Sequence, residues 1–135
     1  MSDAGDPDEV ERIRERKKEE LRAKLDGASE APSEPVHVGS EDEFAELTGE
    51  GVVLVDFHAD WCGPCQMLEP VVERLAAETD ATVAKVDVDA HQGLARQHQV
   101  QGVPTLLLFA DGSPVERLVG VQDEATLRDL VEVYT

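Results

Sequence analysis

Positive charge is scarce in this sequence. Only 12 of its 135 residues are Lys or Arg, against 30 Asp and Glu, and the net charge is -18. The shortage is concentrated after residue 31, where 20 acidic residues accompany five basic ones and Lys85 is the only lysine. Because so acidic a surface repels other anions, we expect neither nucleic acid nor an anionic membrane surface among the partners.

Long hydrophobic runs are missing as well. No stretch approaches the roughly 20 apolar residues that cross a bilayer, and the first dozen residues are acidic, without the apolar core of a signal peptide. The length suits one ordinary domain with a tail. We therefore expect a cytoplasmic, single-domain protein.

Cysteine is limited to Cys62 and Cys65. Since cytosolic thiols are kept reduced and structural disulfides are rare there, such a pair predicts redox chemistry. As a structural staple, a ring this small would stabilise the fold by only roughly 2 kcal/mol. A zinc site would need two more ligands, and the four histidines lack paired ligand spacing. We expect no metal and no bound cofactor; the histidines are His37, His58, His91 and His98.

The negative charge lies mainly in the second part of the chain. Residues 1–31 carry a net charge of -3 and residues 32–135 a net charge of -15. Self-repulsion of this kind destabilises a compact state, but at about 1 M salt the Debye length is only about 3 Å. The composition predicts a protein from a salt-loving source; a merely acidic mesophilic protein is the alternative.

We expect the first 35 residues to form a segment separate from the folded domain. Asp6, Pro7 and Glu9 have the types and spacing of a helix start, and a charged helix with a thin apolar face is predicted to about Leu25. A linker rich in small residues and proline follows Gly27. We predict an N-terminal helix and linker over 1–35 and a folded domain over 36–135. The helix could be a solvating tail, a partner-binding element or a cap.

Strands and helices alternate beyond residue 35. A capping box from Ser40 to Glu43 opens the first helix, and Asp111-Gly112 suits a hairpin turn. Strands joined by helices pair in parallel, whereas a hairpin is antiparallel, so the fold is α/β with a mixed central sheet flanked by helices. The predicted strands are 36–38, 52–57, 82–88, 105–110 and 114–121, and the further helices are 62–78, 90–98 and 123–133.

The cysteines lie where a redox-active pair is chemically useful. The run Trp61-Cys62-Gly63-Pro64-Cys65 follows an apolar strand and opens an amphipathic helix. Unpaired N–H groups and the helix dipole at that position favour the Cys62 thiolate, so its pKa is expected to fall below about 8.5 and Cys62 to act as the nucleophile. Cys65 lies on the same helical face and could resolve a mixed disulfide.

Three further polar residues stand out near this motif. Asp56 interrupts an apolar strand; burial would raise its pKa and suit a proton acceptor for Cys65, although it could instead reach solvent. Lys85 lies in the next strand, where parallel pairing would bring it near Asp56, but a surface lysine is an equally good interpretation. His58 could tune Cys62, although a solvated loop histidine is the commoner case.

Four motifs resemble the thioredoxin family: V-D-F at 55–57, W-C-G-P-C at 61–65, A-K-V-D-V-D at 84–89 and G-V-P-T-L-L-L-F at 102–109. The resemblance spans about residues 36–134 and implies the thioredoxin fold, here with an extra N-terminal helix. It implies a protein-disulfide reductase in which Cys62 attacks a substrate disulfide and Cys65 resolves the mixed intermediate. It also implies that Asp56 takes the proton of Cys65 and that Lys85 tunes Asp56.

The resemblance further implies a monomer whose partners are a thioredoxin reductase and disulfide-containing proteins. It implies a cis Val103-Pro104 bond, and Gly63-Pro64 argues against the alternative of a disulfide oxidase or isomerase. A non-enzymatic binding subunit recruited through the N-terminal helix is the other alternative. His58 and Gln66 depart from the family, where an aromatic and a basic residue are common. The implied substrate groove comprises Trp61, Gly63, Pro64, Val103, Pro104, Gly120 and Val121.

Overall fold

The computed structural model describes residues 11–14 and 31–135. The chain divides into two compact units, Met1–Glu30 and Ala31–Thr135. In the first unit residues 11–14 are helical and exposed; the rest of the helix predicted over 6–25 lies outside the described residues, as does the linker up to residue 30. No helix in the described part of the chain is long and apolar enough to span a membrane.

A five-stranded sheet organises the second unit. Its strands are β1 (Val36–His37), β2 (Val52–His58), β3 (Thr82–Asp87), β4 (Thr105–Ala110) and β5 (Ser113–Val119). They lie in the order β1-β3-β2-β4-β5. β3 pairs in parallel with β1 and β2, whereas β4 is antiparallel to both β2 and β5. The sheet is therefore mixed, as the sequence pattern predicts.

Four helices cover the sheet: α1 (Glu41–Thr48), α2 (Gly63–Glu78), α3 (Gln92–Gln97) and α4 (Glu124–Tyr134). Side chains alternate between the two faces of a strand. Leu54 of β2 belongs to the apolar cluster that includes buried residues of α2 and α4, whereas Val53, Val55 and Phe57 belong to the cluster that includes those of α1 and α3. Asp56 has the parity of Leu54, so it points to the face that α2 covers.

Several predicted boundaries shift by one or two residues. Cys62 has extended backbone angles and is the N-cap of α2, so the helix begins one residue later than predicted. β5 ends at Val119, since Gly120 takes a positive φ of 90° and Pro104 opposite it accepts the Gly120 N–H but has no N–H to donate in return. Glu43 accepts a hydrogen bond from the Gly39 N–H, one residue before the cap, although Ser40 accepts from the Glu43 N–H as predicted.

Candidate functional site

The two cysteines form a disulfide at the start of α2. Their Cα atoms are 5.3 Å apart, and the Cys62 Sγ accepts a hydrogen bond from the Cys65 N–H at 3.2 Å. Both residues are buried, while Trp61, Gly63 and Pro64 around them are exposed. The structure thus holds the oxidised form of the pair, just beneath an exposed rim.

The N-cap position of Cys62 has an electrostatic consequence. The first N–H groups of a helix have no partner within the helix, and the aligned peptide dipoles place a partial positive charge there. Pro64 in the first turn has no N–H to offer, which is tolerated at this position. When the disulfide is reduced, the Cys65 N–H and the helix dipole both favour a thiolate at Cys62.

The Val103-Pro104 loop lies against the disulfide. The bond between these residues is cis, as the family resemblance implies, and the Val103 carbonyl oxygen is 3.7 Å from the Cys62 Sγ. Val103 and Gly120 are half-buried, Val121 is exposed, and Pro104 is buried. The ring of Pro104 therefore offers no surface to a bound chain, and this residue shapes the groove only through its backbone.

Trp61 is held by a contact that the sequence did not reveal. Its indole N–H donates to Asp89 Oδ2 at 2.9 Å, although 71% of the residue is exposed. A shallow depression beside the ring is lined by Val88, Val100, Gln101, Gly102 and Val103. The hydrogen bond to Asp89 therefore orients an indole ring that is otherwise largely exposed.

Asp56 lies in the interior, not at the surface. It is 0% exposed, and neither carboxylate oxygen has a hydrogen-bond partner among the described residues. Burial raises its pKa from 3.8 to about 6; the charge of Lys85 opposes this shift and that of Glu69 adds to it. The alternative in which Asp56 reaches solvent is therefore wrong, and the carboxyl titrates close to neutral pH.

Lys85 is also buried, which rules out the surface-lysine interpretation. It is 5% exposed and lies opposite Asp56 in the parallel β2–β3 pair. Its Nζ donates to Glu69 Oε1 at 3.2 Å. Glu69 follows Cys65 by four residues on α2, so the two lie on one face of the helix. Glu69 was not predicted from the sequence: its spacing from Cys65 places it on the same helix face but does not show that it meets Lys85.

A cavity of about 180 Å³ adjoins Cys65, Glu69 and Lys85. His58, at the end of β2, is half-buried in its wall, and its pKa is lowered chiefly by burial and then by the charge of Lys85. Within residues 11–14 and 31–135, no three His, Cys, Asp or Glu side chains group as metal ligands would. The cavity is lined by His37, His58, Ala59, Asp60, Cys65, Gln66, Glu69 and Lys85.

Comparison with known proteins identifies the family. The thioredoxin family model matches residues 35–133. The chain is 50% identical over 100 residues to thioredoxin of Chlamydia trachomatis serovar D, covering 73% of this chain and 98% of that one. It is 50% identical over 94 residues to a bifunctional thioredoxin reductase/thioredoxin of Mycobacterium leprae, covering 67% of this chain and 20% of that one.

A solved structure agrees with these matches. A mutant thioredoxin from Halobacterium salinarum is 60% identical and superimposes with a TM-score of 0.76, over 78% of this chain and 94% of that one. The mixed sheet, the flanking helices and the cysteine pair at the start of α2 have the same arrangement that the family resemblance implies. The chain belongs to the thioredoxin family of protein-disulfide reductases.

Proposed function

We propose that Cys62 is the nucleophile of this reductase and Cys65 its resolving thiol. The N-cap position of Cys62 carries the assignment, because among the described contacts the Cys62 sulfur, and not that of Cys65, accepts a hydrogen bond from an N–H at the start of the helix. The Cys62 thiolate attacks a substrate disulfide, whose S–S bond breaks as one substrate sulfur leaves as a thiolate. Cys65, deprotonated, then attacks the Cys62 Sγ and releases the second substrate sulfur. Two electrons pass to the substrate and the Cys62–Cys65 disulfide forms.

Asp56 is the proton acceptor for Cys65 in this proposal, and Lys85 tunes it. The acceptor must be ionised at neutral pH and yet basic enough to take up a proton briefly, which suits a carboxyl whose pKa is raised to about 6. The buried position of Asp56 supports the role, as does its place opposite Lys85, whose side chain lines the cavity beside Cys65.

The substrate binds, in this proposal, along the groove around the disulfide. An extended peptide would pair with exposed backbone near Val103 and rest on the exposed side chains of Trp61 and Val121. Recognition of main chain admits many sequences, so specificity would be broad. The groove comprises Trp61, Gly63, Pro64, Val103, Pro104, Gly120 and Val121.

A thioredoxin reductase is proposed as the partner that restores the dithiol. The Mycobacterium leprae relative is named as a bifunctional thioredoxin reductase/thioredoxin, which is consistent with such a pairing. A dithiol that serves as a reductant works in a compartment that keeps thiols reduced, so we place the protein in the cytoplasm. We further propose a monomer, which light scattering coupled to gel filtration would test.

Adaptation to high salt is also proposed. The net charge of -15 on residues 32–135 supports it, and the structural similarity to a Halobacterium salinarum protein is in keeping with it. We assign the redox activity to residues 36–135 and treat 1–35 as an extension. Deleting residues 1–31 should then leave disulfide reduction intact; loss of reduction in a folded deletion variant would favour a role for the extension.

Trapping of the mixed disulfide tests the cysteine assignments. Reduced Cys65→Ser protein, mixed with a disulfide-containing protein, should accumulate a covalent complex, because Cys62 attacks and nothing resolves the bond. Matched Cys62→Ser protein should form far less. Non-reducing electrophoresis and mass spectrometry of the joined peptides would identify the linked cysteine. A complex formed mainly by Cys62→Ser would reverse the two roles.

A further inference from the structure

Lys85 lies between two carboxylates and is bonded to one of them. Its Nζ donates to Glu69 Oε1, whereas Asp56, its neighbour across the β2–β3 pair, has no hydrogen-bond partner among the described residues. A buried carboxylate beside a buried ammonium would ordinarily form an ion pair. In this chain Glu69 of α2 forms the ion pair with Lys85 instead.

We propose that Glu69 is a positioning residue for the reductase reaction: its carboxylate holds the Lys85 ammonium at the cavity wall, so that Asp56 stays without an ion pair and is free to accept the proton of Cys65. The proposal rests on the function proposed above for Asp56. It adds a residue of α2 to the two strand residues that the family resemblance implies.

Two electrostatic effects of Glu69 act on Asp56 in the same direction. Its negative charge disfavours a second negative charge nearby, and its bond to Lys85 offsets the cation that would stabilise the Asp56 carboxylate. The Lys85 side chain is 6% exposed and that of Glu69 is 49% exposed, so the buried ammonium is bonded to a carboxylate at the surface. Loss of the Glu69 charge removes both effects and favours ionised Asp56.

Other titratable groups lie on the neighbouring elements around the cavity that Glu69 and Lys85 line. His58 lies on β2, His37 on β1 and Cys65 on α2. Asp60 lies in the loop before α2, and Asp87 ends β3 and acts on His58. Within residues 11–14 and 31–135 none of them bonds to the side chain of Lys85 or Asp56, and a Glu69→Gln substitution leaves all of them in place.

The experiment compares Glu69→Gln with Glu73→Gln. Glu73 lies one turn further along α2, is exposed, and lines the same depression as Lys85 but makes no ion pair with a described side chain, so its substitution removes the same charge and leaves the Glu69–Lys85 bond in place. The pKa of the Asp56 carboxyl is measured by carbon NMR in the disulfide form, in which neither cysteine titrates. The pH dependence of kcat and KM for a disulfide substrate is measured in parallel.

Glu69→Gln should lower the pKa of Asp56 by about one unit, a tenfold change in its protonation equilibrium. The acidic limb of the kcat profile should move down with it, while KM stays the same because the groove is untouched. Glu73→Gln should move neither. An unchanged Asp56 titration in Glu69→Gln, or an equal shift in both variants, would overturn the proposal.

A second comparison separates this proposal from the one it rests on. In a Lys85→Met background the effect of Glu69→Gln on Asp56 should shrink to less than half, because there is no ammonium left to hold; a full effect there would contradict positioning through Lys85. If Asp56→Asn leaves the pH profile of kcat unchanged, the proton-acceptor role fails. If Asp56→Asn alters the profile and Glu69→Gln does not, only the role of Glu69 fails.

Discussion

Ionising a buried carboxyl costs free energy, because the charge loses its hydration. For Asp56 this cost appears near neutral pH. Its pKa rises from 3.8 to about 6 on folding, because burial outweighs the attraction of Lys85. The folded state therefore binds this proton more tightly than the unfolded chain does. Stability from Asp56 is fully present below about pH 4 and is lost as the pH rises through about 6.

Asp56→Asn should consequently stabilise the protein above pH 6. The shift in pKa corresponds to at most about 3 kcal/mol in the free energy of unfolding at about pH 8, and to almost none near pH 4. Denaturant titrations at the two pH values would measure it, with exposed Asp129→Asn as the control. Equal effects of Asp56→Asn at both pH values would show that its charge is not the cause.

Functional residues differ in how readily they can be recognised from the sequence. Asp56 and Lys85 were recognisable because each is a charge within an apolar strand, and the parallel alternation of elements placed the strands side by side. Glu69 was not recognisable, since it is one of many acidic residues on helix surfaces. Its role depends on the hydrogen bond from Lys85, which only the folded structure shows. Asp89 was missed for the same reason: its bond to Trp61 joins residues 28 positions apart.

Secondary-structure elements are held at their ends by local contacts. The Ser40 Oγ accepts from the Glu43 N–H at 3.1 Å, which satisfies one of the free N–H groups at the start of α1. That helix carries Phe44 into the core, where it packs against Phe57 and Phe109. The cap therefore contributes both to the helix and to the core beneath it.

Ser40→Ala should lower the free energy of unfolding by about 1 kcal/mol, the usual cost of losing such a cap. Ser113→Ala serves as the control, because Ser113 is exposed and its hydroxyl makes no hydrogen bond to a described residue. Equilibrium denaturation of both variants would measure the difference. Equal stability of the two would mean that the Ser40 hydroxyl does not cap α1.

The order of elements was predictable, and their exact ends and the strand order were not. Helix and strand periodicities and the Asp111-Gly112 turn predicted every element of the sheet unit. The order β1-β3-β2-β4-β5 depends on which apolar faces meet in three dimensions, which periodicity does not encode. The early end of β5 arises where Gly120, at a positive φ, meets Pro104, which has no N–H to donate; only the fold brings these two residues together.

The whole molecule uses its few cations to join elements. Arg74 of α2 and Arg128 of α4 both bind Glu124, and Arg128 also binds Glu78. Lys85 joins β3 to α2, and Arg117 of β5 donates to the His98 carbonyl at the end of α3. Because these cations are engaged within the second unit, most acidic side chains at its surface have no cationic partner among the described residues, and they repel one another.

Salt should therefore stabilise the protein. The midpoint of thermal unfolding is expected to rise between dilute buffer and about 1 M KCl, where the Debye length falls to about 3 Å. Sucrose at equal osmolality is the control, since it favours burial without screening charge. If the midpoint responds to sucrose as strongly as to KCl, or to neither, charge screening does not stabilise the protein. That result would contradict the proposed adaptation to salt.

Catalysis of disulfide reduction is the most direct test of the whole account. Reduction of insulin by dithiothreitol would be followed in about 1 M KCl, where screening keeps the protein folded, with wild type, Cys62→Ser and Cys65→Ser. The account predicts that wild type accelerates the reduction and that Cys62→Ser does not. Wild type that is folded yet inert would contradict it and favour a binding subunit in which the cysteines take no part.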